Sequence, residues 1–110
     1  MASPAVVLLA VSEIIRIGAD EFAIGVEEDG SISNAHEYQD AYGFLVSSRD
    51  MLAGIDTNDV NASDAINLAH EQIEIALASF DGLTVESTEG RTSTLYGAAA
   101  RIEIAARGLM

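Results

Sequence analysis

The sequence predicts an all-α fold, a small antiparallel four-helix bundle around a very apolar N-terminal helix, and three observations carry that prediction. Apolar residues recur at helical rather than alternating spacing over four stretches. Most of those stretches are bracketed by residues that start and stop helices. The third observation is compositional: 49% of the residues are hydrophobic, yet only six are Phe or Tyr and none is Trp, which asks for an aliphatic core of Ile, Leu, Val and Ala. A chain of 110 residues holds one such core, so residues 1–110 form a single helical domain.

Helix 1 runs from Pro4 to Val26. Ser3 offers a side-chain acceptor at the N-cap, and Pro4 takes the first helical position, where its missing N–H costs nothing. At 100° per residue, Val7, Val11, Ile14, Gly18, Phe22 and Gly25 fall on one line. Val6, Ala10, Ile17 and Ile24 flank it on one side, Leu8 and Ile15 on the other. The apolar arc spans roughly 200°, about twice that of a surface helix, so helix 1 is expected to be central. Glu13, Arg16 and Asp20 mark its wet edge, with Leu9 also there. Glu21 interrupts the arc. The acids of Glu27-Glu28-Asp29-Gly30 then oppose the negative end of the helix dipole and end the helix.

Helix 2 opens on Asn34 as N-cap with Glu37 three residues on, a capping-box arrangement, and ends near Ala53 before Gly54. Tyr38, Ala41, Tyr42, Leu45 and Leu52 form its inner face, with the tyrosine hydroxyls expected to reach solvent. Asn61 or Ser63 is expected to cap helix 3, which runs to Phe80 with an inner stripe of Ile66, Ala69, Ile73, Leu77 and Phe80. Leu68 and Ile75 lie roughly opposite that stripe and need a second cover. Residues 83–91 read as a loop, since a lone extended piece has nothing to pair with unless another chain supplies it. Helix 4 runs from Thr92 or Ser93 to Arg107, stopped by Gly108, with Leu95, Ala99, Ile102, Ala106 and Leu109 inside and Ile104 pointing outward. Three modest inner stripes can just cover the arc of helix 1, so helix 1 by itself does not demand a partner.

Net charge is −13, from 18 acidic residues against five arginines and no lysine. That argues against direct nucleic-acid binding, which needs clustered Lys or Arg. Solvation in a salt-adapted cell explains such acidity, and mimicry of a nucleic-acid backbone is a sharper alternative. No cysteine is present, so thiolate chemistry and Cys-type zinc sites are excluded. The apolar N-terminus lacks a basic leader and a cleavage site and is broken by Glu13 and Arg16. It is expected to be neither signal peptide nor membrane span, which leaves the cytoplasm or the interior of a virus particle as the expected location.

No motif for catalysis stands out. His36 with Asp40 and His70 with Glu74 are spaced i to i+4, but neither pair falls on an inner face, and the inward Glu-x-x-His order of di-iron bundles is absent. The loop from Asp56 to Asp64 is rich in oxygen ligands, yet Val60, Asn61 and Asn67 stand where a helix-loop-helix calcium site needs a ligand, a glycine and a glutamate. Asn61-Ala62-Ser63 is a glycosylation sequon, read here as helix capping. A histidine phosphotransfer domain is excluded by Ile73 and Glu74 after His70. No cofactor and no catalytic or metal residue is expected. The sequence favours a non-enzymatic structural or interaction protein, a small acidic subunit of a larger assembly such as the head-to-tail junction of a phage particle. Its partners would be other protein subunits, self or heterologous, with no direct nucleic-acid binding and no membrane, and Leu9, Leu68, Ile75 and Ile104 would form the interface. A nucleic-acid mimic that binds a basic protein, and a metal-binding or enzymatic bundle, are the alternatives.

Overall fold

In the computed structural model, which describes residues 3–110, the four expected helices form: α1 over Pro4–Gly25, α2 over Ala35–Ala53, α3 over Val60–Leu77 and α4 over Thr92–Arg107. Residues 1 and 2 of the expected domain lie outside the described residues. Ser3 caps α1 by accepting the Val6 N–H, and Asn34 caps α2 by accepting that of Glu37, each at 3.3 Å. Both caps sit where the sequence places them. The start of α3 does not: Asp59 is its N-cap, held by its own N–H donating to Thr57 Oγ1, so Asn61 and Ser63 lie inside the first turn. The end of α3 is also earlier than expected, because the chain leaves the helix after Leu77 and turns through residues 78–80.

The helices stack as an antiparallel bundle 44 × 19 × 17 Å in extent. The α1 helix packs along both α2 and α4, α3 packs mainly on α4, and the α1–α3 diagonal is sparse. Small residues allow this closeness. An added Cβ at Gly18 would meet the Phe44 Cβ at 3.2 Å, and one at Gly25 would meet the Tyr38 backbone nitrogen at 2.8 Å. The buried faces of α3 and α4 are largely alanine. Ser12 and Ser48, fully buried, satisfy their hydroxyls on carbonyls of their own helices, those of Leu9 and Phe44.

The buried face of α1 keeps the expected line at Val11, Gly18, Phe22 and Gly25 and is centred toward its Leu8 and Ile15 flank. Leu8, Val11, Ile15, Ala19 and Phe22 are fully buried, whereas Val6, Ile17 and Ile24 are 52%, 46% and 59% exposed. Two neighbours cover the Leu8 and Ile15 flank and the glycine line, and no helix packs on the Val6 flank. The three remaining stripes therefore leave part of the arc uncovered.

Two further features depart from the sequence reading. Four of the six Phe and Tyr rings gather at one end of the core: Phe22, Tyr38, Tyr42 and Phe80 meet at centroid distances of 5.1–5.9 Å. The core is aliphatic through its length and aromatic at this end. The loop over residues 83–91 also finds its extended partner within the chain. Val26 bridges Ile32 within the α1–α2 connection, and Ser31 bridges Ser87, which joins that connection to the α3–α4 loop. Ile32 N–H donates to the Glu86 carbonyl at 2.9 Å and Thr88 N–H to that of Gly30 at 2.8 Å.

Candidate functional site

The bridged connections form a cap over the aromatic end of the bundle, and Thr88 is its anchor. It lies in the loop that joins α3 to α4 and its side chain is buried, with the hydroxyl 2.6 Å from the Ser79 carbonyl oxygen and 3.0 Å from Asp81 Oδ2. One hydroxyl proton is shared between those acceptors, while the oxygen accepts from Gly90 N–H at 3.1 Å. Asp81 also accepts from Glu89 N–H at 2.9 Å, and that bond, with the one from Thr88, holds its carboxyl below its ordinary value of 3.8. Asp29 is lowered likewise by the hydroxyl and then the N–H of Ser31. The Tyr38 hydroxyl does not reach solvent as expected. It donates to the Gly82 carbonyl at 2.8 Å, and burial pushes the phenol up.

Backbone approaches at the cap require glycine in two places. Gly30 has φ +88°, and a Cβ there would lie 2.4 Å from the Thr88 carbonyl oxygen. At Gly90 a Cβ would lie 2.1 Å from the Ser79 carbonyl oxygen. An open cleft of about 1050 Å³ lies beside the cap, lined by Glu27, Glu28, Asp29, Glu89 and Arg91 among others.

Folding concentrates the charge. The half of the bundle at the cap, residues 15–44 and 69–99, holds twelve carboxylates against two arginines, −10, while the remainder holds six against three, −3. The cap end is the electrostatic pole of the molecule. At the middle of the bundle, Arg16 joins Glu13 at 2.8 Å and Glu103 at 3.0 Å, and Arg107 joins Glu103 at 2.9 Å. The Arg107 and Arg16 hydrogen bonds hold the Glu103 carboxyl below its ordinary range. Tyr96 donates to Asp20 across α1 and α4, which raises the tyrosine.

The four expected interface residues are not brought to one place. Ile104 is 72% exposed on the outer face of α4. Leu68 and Ile75 are partly exposed, and Ile75 lies in a shallow depression with Gln72, Thr94 and Arg101, on the α3–α4 shoulder rather than squarely opposite the core. Leu9 is not on a wet edge. It packs, partly buried, against the core. Val6, Ile17 and Ile24, on one flank of α1, are exposed as well. Their shared flank was visible in the periodicity; what decided their exposure was which sides of α1 its neighbours occupy.

His36 Nε2 lies 3.4 Å from Asp40 Oδ2, and Glu37 joins them on the first turns of α2. His36 and Asp40 are exposed, and their side chains belong to a solvated helix face. The oxygen-rich run from Asp56 to Asp64 is split by the start of α3, which places Asn61, Ser63 and Asp64 within the helix. Glu21 lies within an unbroken α1, and its Oε2 is buried without a partner. Among the described residues, no helix is long and apolar enough to cross a membrane.

The chain matches no family model, no curated protein and no solved structure.

Proposed function

We propose that this chain is a non-enzymatic assembly component, an acidic helical subunit that docks on other protein subunits through exposed apolar helix surface. The observation that carries the reading is the set of large aliphatic side chains left open on three of four helices: Val6, Ile17 and Ile24 on α1, Leu68 and Ile75 on α3, and Ile104 on α4. Those on α1 share one flank of the helix, and apolar surface grouped along a face marks contact sites in proteins that function in complexes. A place in a virus or phage particle, such as a head-to-tail junction, fits the size and helical build. The compartment that goes with it is the particle interior or the cytoplasm.

Light scattering on size-exclusion fractions, with co-purification from the native source, tests the reading. The expected result is association that weakens on Leu68→Asp, Ile75→Asp or Ile104→Asp. A strict monomer with no co-purifying protein, unchanged by all three substitutions, overturns it. A second reading, an acidic mimic of nucleic acid that occupies a basic protein, is favoured by the −10 charge at the cap end. It predicts competition with DNA or RNA for a basic partner, with affinity that falls steeply with salt.

A further inference from the structure

The geometry points to the outer face of α1 as the seat of a basic amphipathic helix from a different protein, an inference that rests on the assembly reading above and names the partner's chemistry. Ala10, Ile17 and Ile24 recur every seven residues along this face, and Val6 lies one helical step away from the first of them. Seven residues rise about 10.5 Å, two turns of a facing helix, so a partner helix meets each side chain in the same register. An extended strand repeats every ~6.6–6.8 Å along its face and falls out of phase.

The charges between these side chains select the occupant. Glu13 and Asp20 alternate with Ala10, Ile17 and Ile24, Glu21 borders them, and Glu27 and Glu28 follow at the cap end. The cation of α1, Arg16, is already engaged by Glu13 and Glu103. A second copy laid on this face would set Glu13 against Glu13 in parallel register, or Glu13 near Glu21 in antiparallel register about Ile17. Either arrangement opposes like charges along an interface, between molecules each carrying −13. A helix with an aliphatic stripe flanked by Lys or Arg removes that conflict. It would carry its densest basic residues at the end that lies over the cap, where −10 is concentrated.

The test uses the full chain and three synthetic amphipathic peptides in fluorescence anisotropy at physiological salt. One has leucine at heptad a and d positions with lysine and arginine beside them, the second has glutamate in place of the basic residues, and the third has serine in place of leucine. The first is expected to bind, the other two about tenfold or more weakly, and Ile17→Ser with Ile24→Ser to weaken the first about tenfold or more. Ile104→Ser should leave binding within about twofold, because it lies on another helix. Both α1 positions are exposed, and circular dichroism of the single and double variants checks that the bundle persists. Equal binding of the serine peptide, unchanged binding to the double variant, or self-association abolished by the double variant would each overturn the inference. Failure of all peptides while native association remains sensitive to Leu68, Ile75 or Ile104 overturns it and leaves the assembly reading standing. A strict monomer that binds no peptide overturns both.

Discussion

Replacing Thr88 by valine removes a single oxygen and leaves the side-chain volume nearly unchanged, so its effect isolates the hydrogen bonds that seat the cap. The hydroxyl serves the Ser79 carbonyl at 2.6 Å, Asp81 Oδ2 at 3.0 Å and Gly90 N–H at 3.1 Å. Asp81 is exposed, and its carboxylate can turn to water. The Ser79 carbonyl and the Gly90 N–H are enclosed by the close backbone approach at Gly90 and are left without this partner. A buried polar group stranded in this way costs about 1–3 kcal/mol; the buried Ser79 carbonyl takes that range and the half-buried Gly90 N–H its lower end, so Thr88→Val should destabilise by about 2–4 kcal/mol. In a domain near this size that lowers Tm by roughly 8–16 °C. Urea unfolding followed by circular dichroism measures the loss, and a double-mutant cycle with Asp81→Ala should return a coupling of about 0.5–3 kcal/mol. A loss below about 0.5 kcal/mol, the usual range for a neutral surface change, would refute the anchoring role of Thr88.

Gly90→Ala should cost about 1–3 kcal/mol or more, as its Cβ would lie 2.6 Å from the Ser79 Cα and the loop must move; thermal melts measure it. Ile15→Ala should cost about 2–5 kcal/mol and Ile17→Ala far less, because the first is fully buried and the second is not; equal losses in chemical denaturation would contradict the orientation of α1. The carboxyls of Asp29 and Asp81 are lowered by bonds made in the folded cap, so the stability they contribute is complete above their ordinary value of 3.8. It is lost as pH falls through the lower folded values. The protection of the Ser31 and Glu89 amides against exchange, measured relative to the unstructured rate at each pH, should fall at acid pH ahead of that of amides in the helix core, since these N–H groups donate to the two carboxylates. Raising NaCl from about 0.1 M to about 1 M shortens the Debye length from about 10 to about 3 Å and should raise Tm; a flat or falling Tm would argue against charge repulsion at the cap as a strain on the fold.

Local signals determined the helices. Ser3-Pro4 and Asn34 with Glu37 set the starts of α1 and α2 because capping is chemistry between residues within one turn of each other. Helical periodicity likewise placed Leu45, Leu52, Ala69, Ile73, Leu95, Ala99, Ile102 and Ala106 inside. Periodicity gives the angle between side chains on a helix, but it does not say which sides its neighbours take. An arc of roughly 200° offers several ways to face the core. Tertiary packing chose the Leu8 and Ile15 flank of α1, leaving Val6, Ile17 and Ile24 open, and drew Leu9 against the core.

The cap was illegible for a related reason. Its contacts join residues far apart in the chain: Ile32 with Glu86, Gly30 with Thr88, and Tyr38 with Gly82. None of these pairs has a local spacing that sequence periodicity can reveal, and Gly30 and Gly90 read only as turn residues until the backbones they admit are in place. Composition fixed the total charge at −13, yet only the up-and-down course of the four helices brought twelve of the 18 carboxylates to the half of the bundle that bears the cap. Sequence alone thus determined four helices, the caps of α1 and α2 and an acidic chain, since these follow from neighbours along the backbone. Which face of α1 stays open, and where the charge gathers, was decided by the packing of segments distant in sequence.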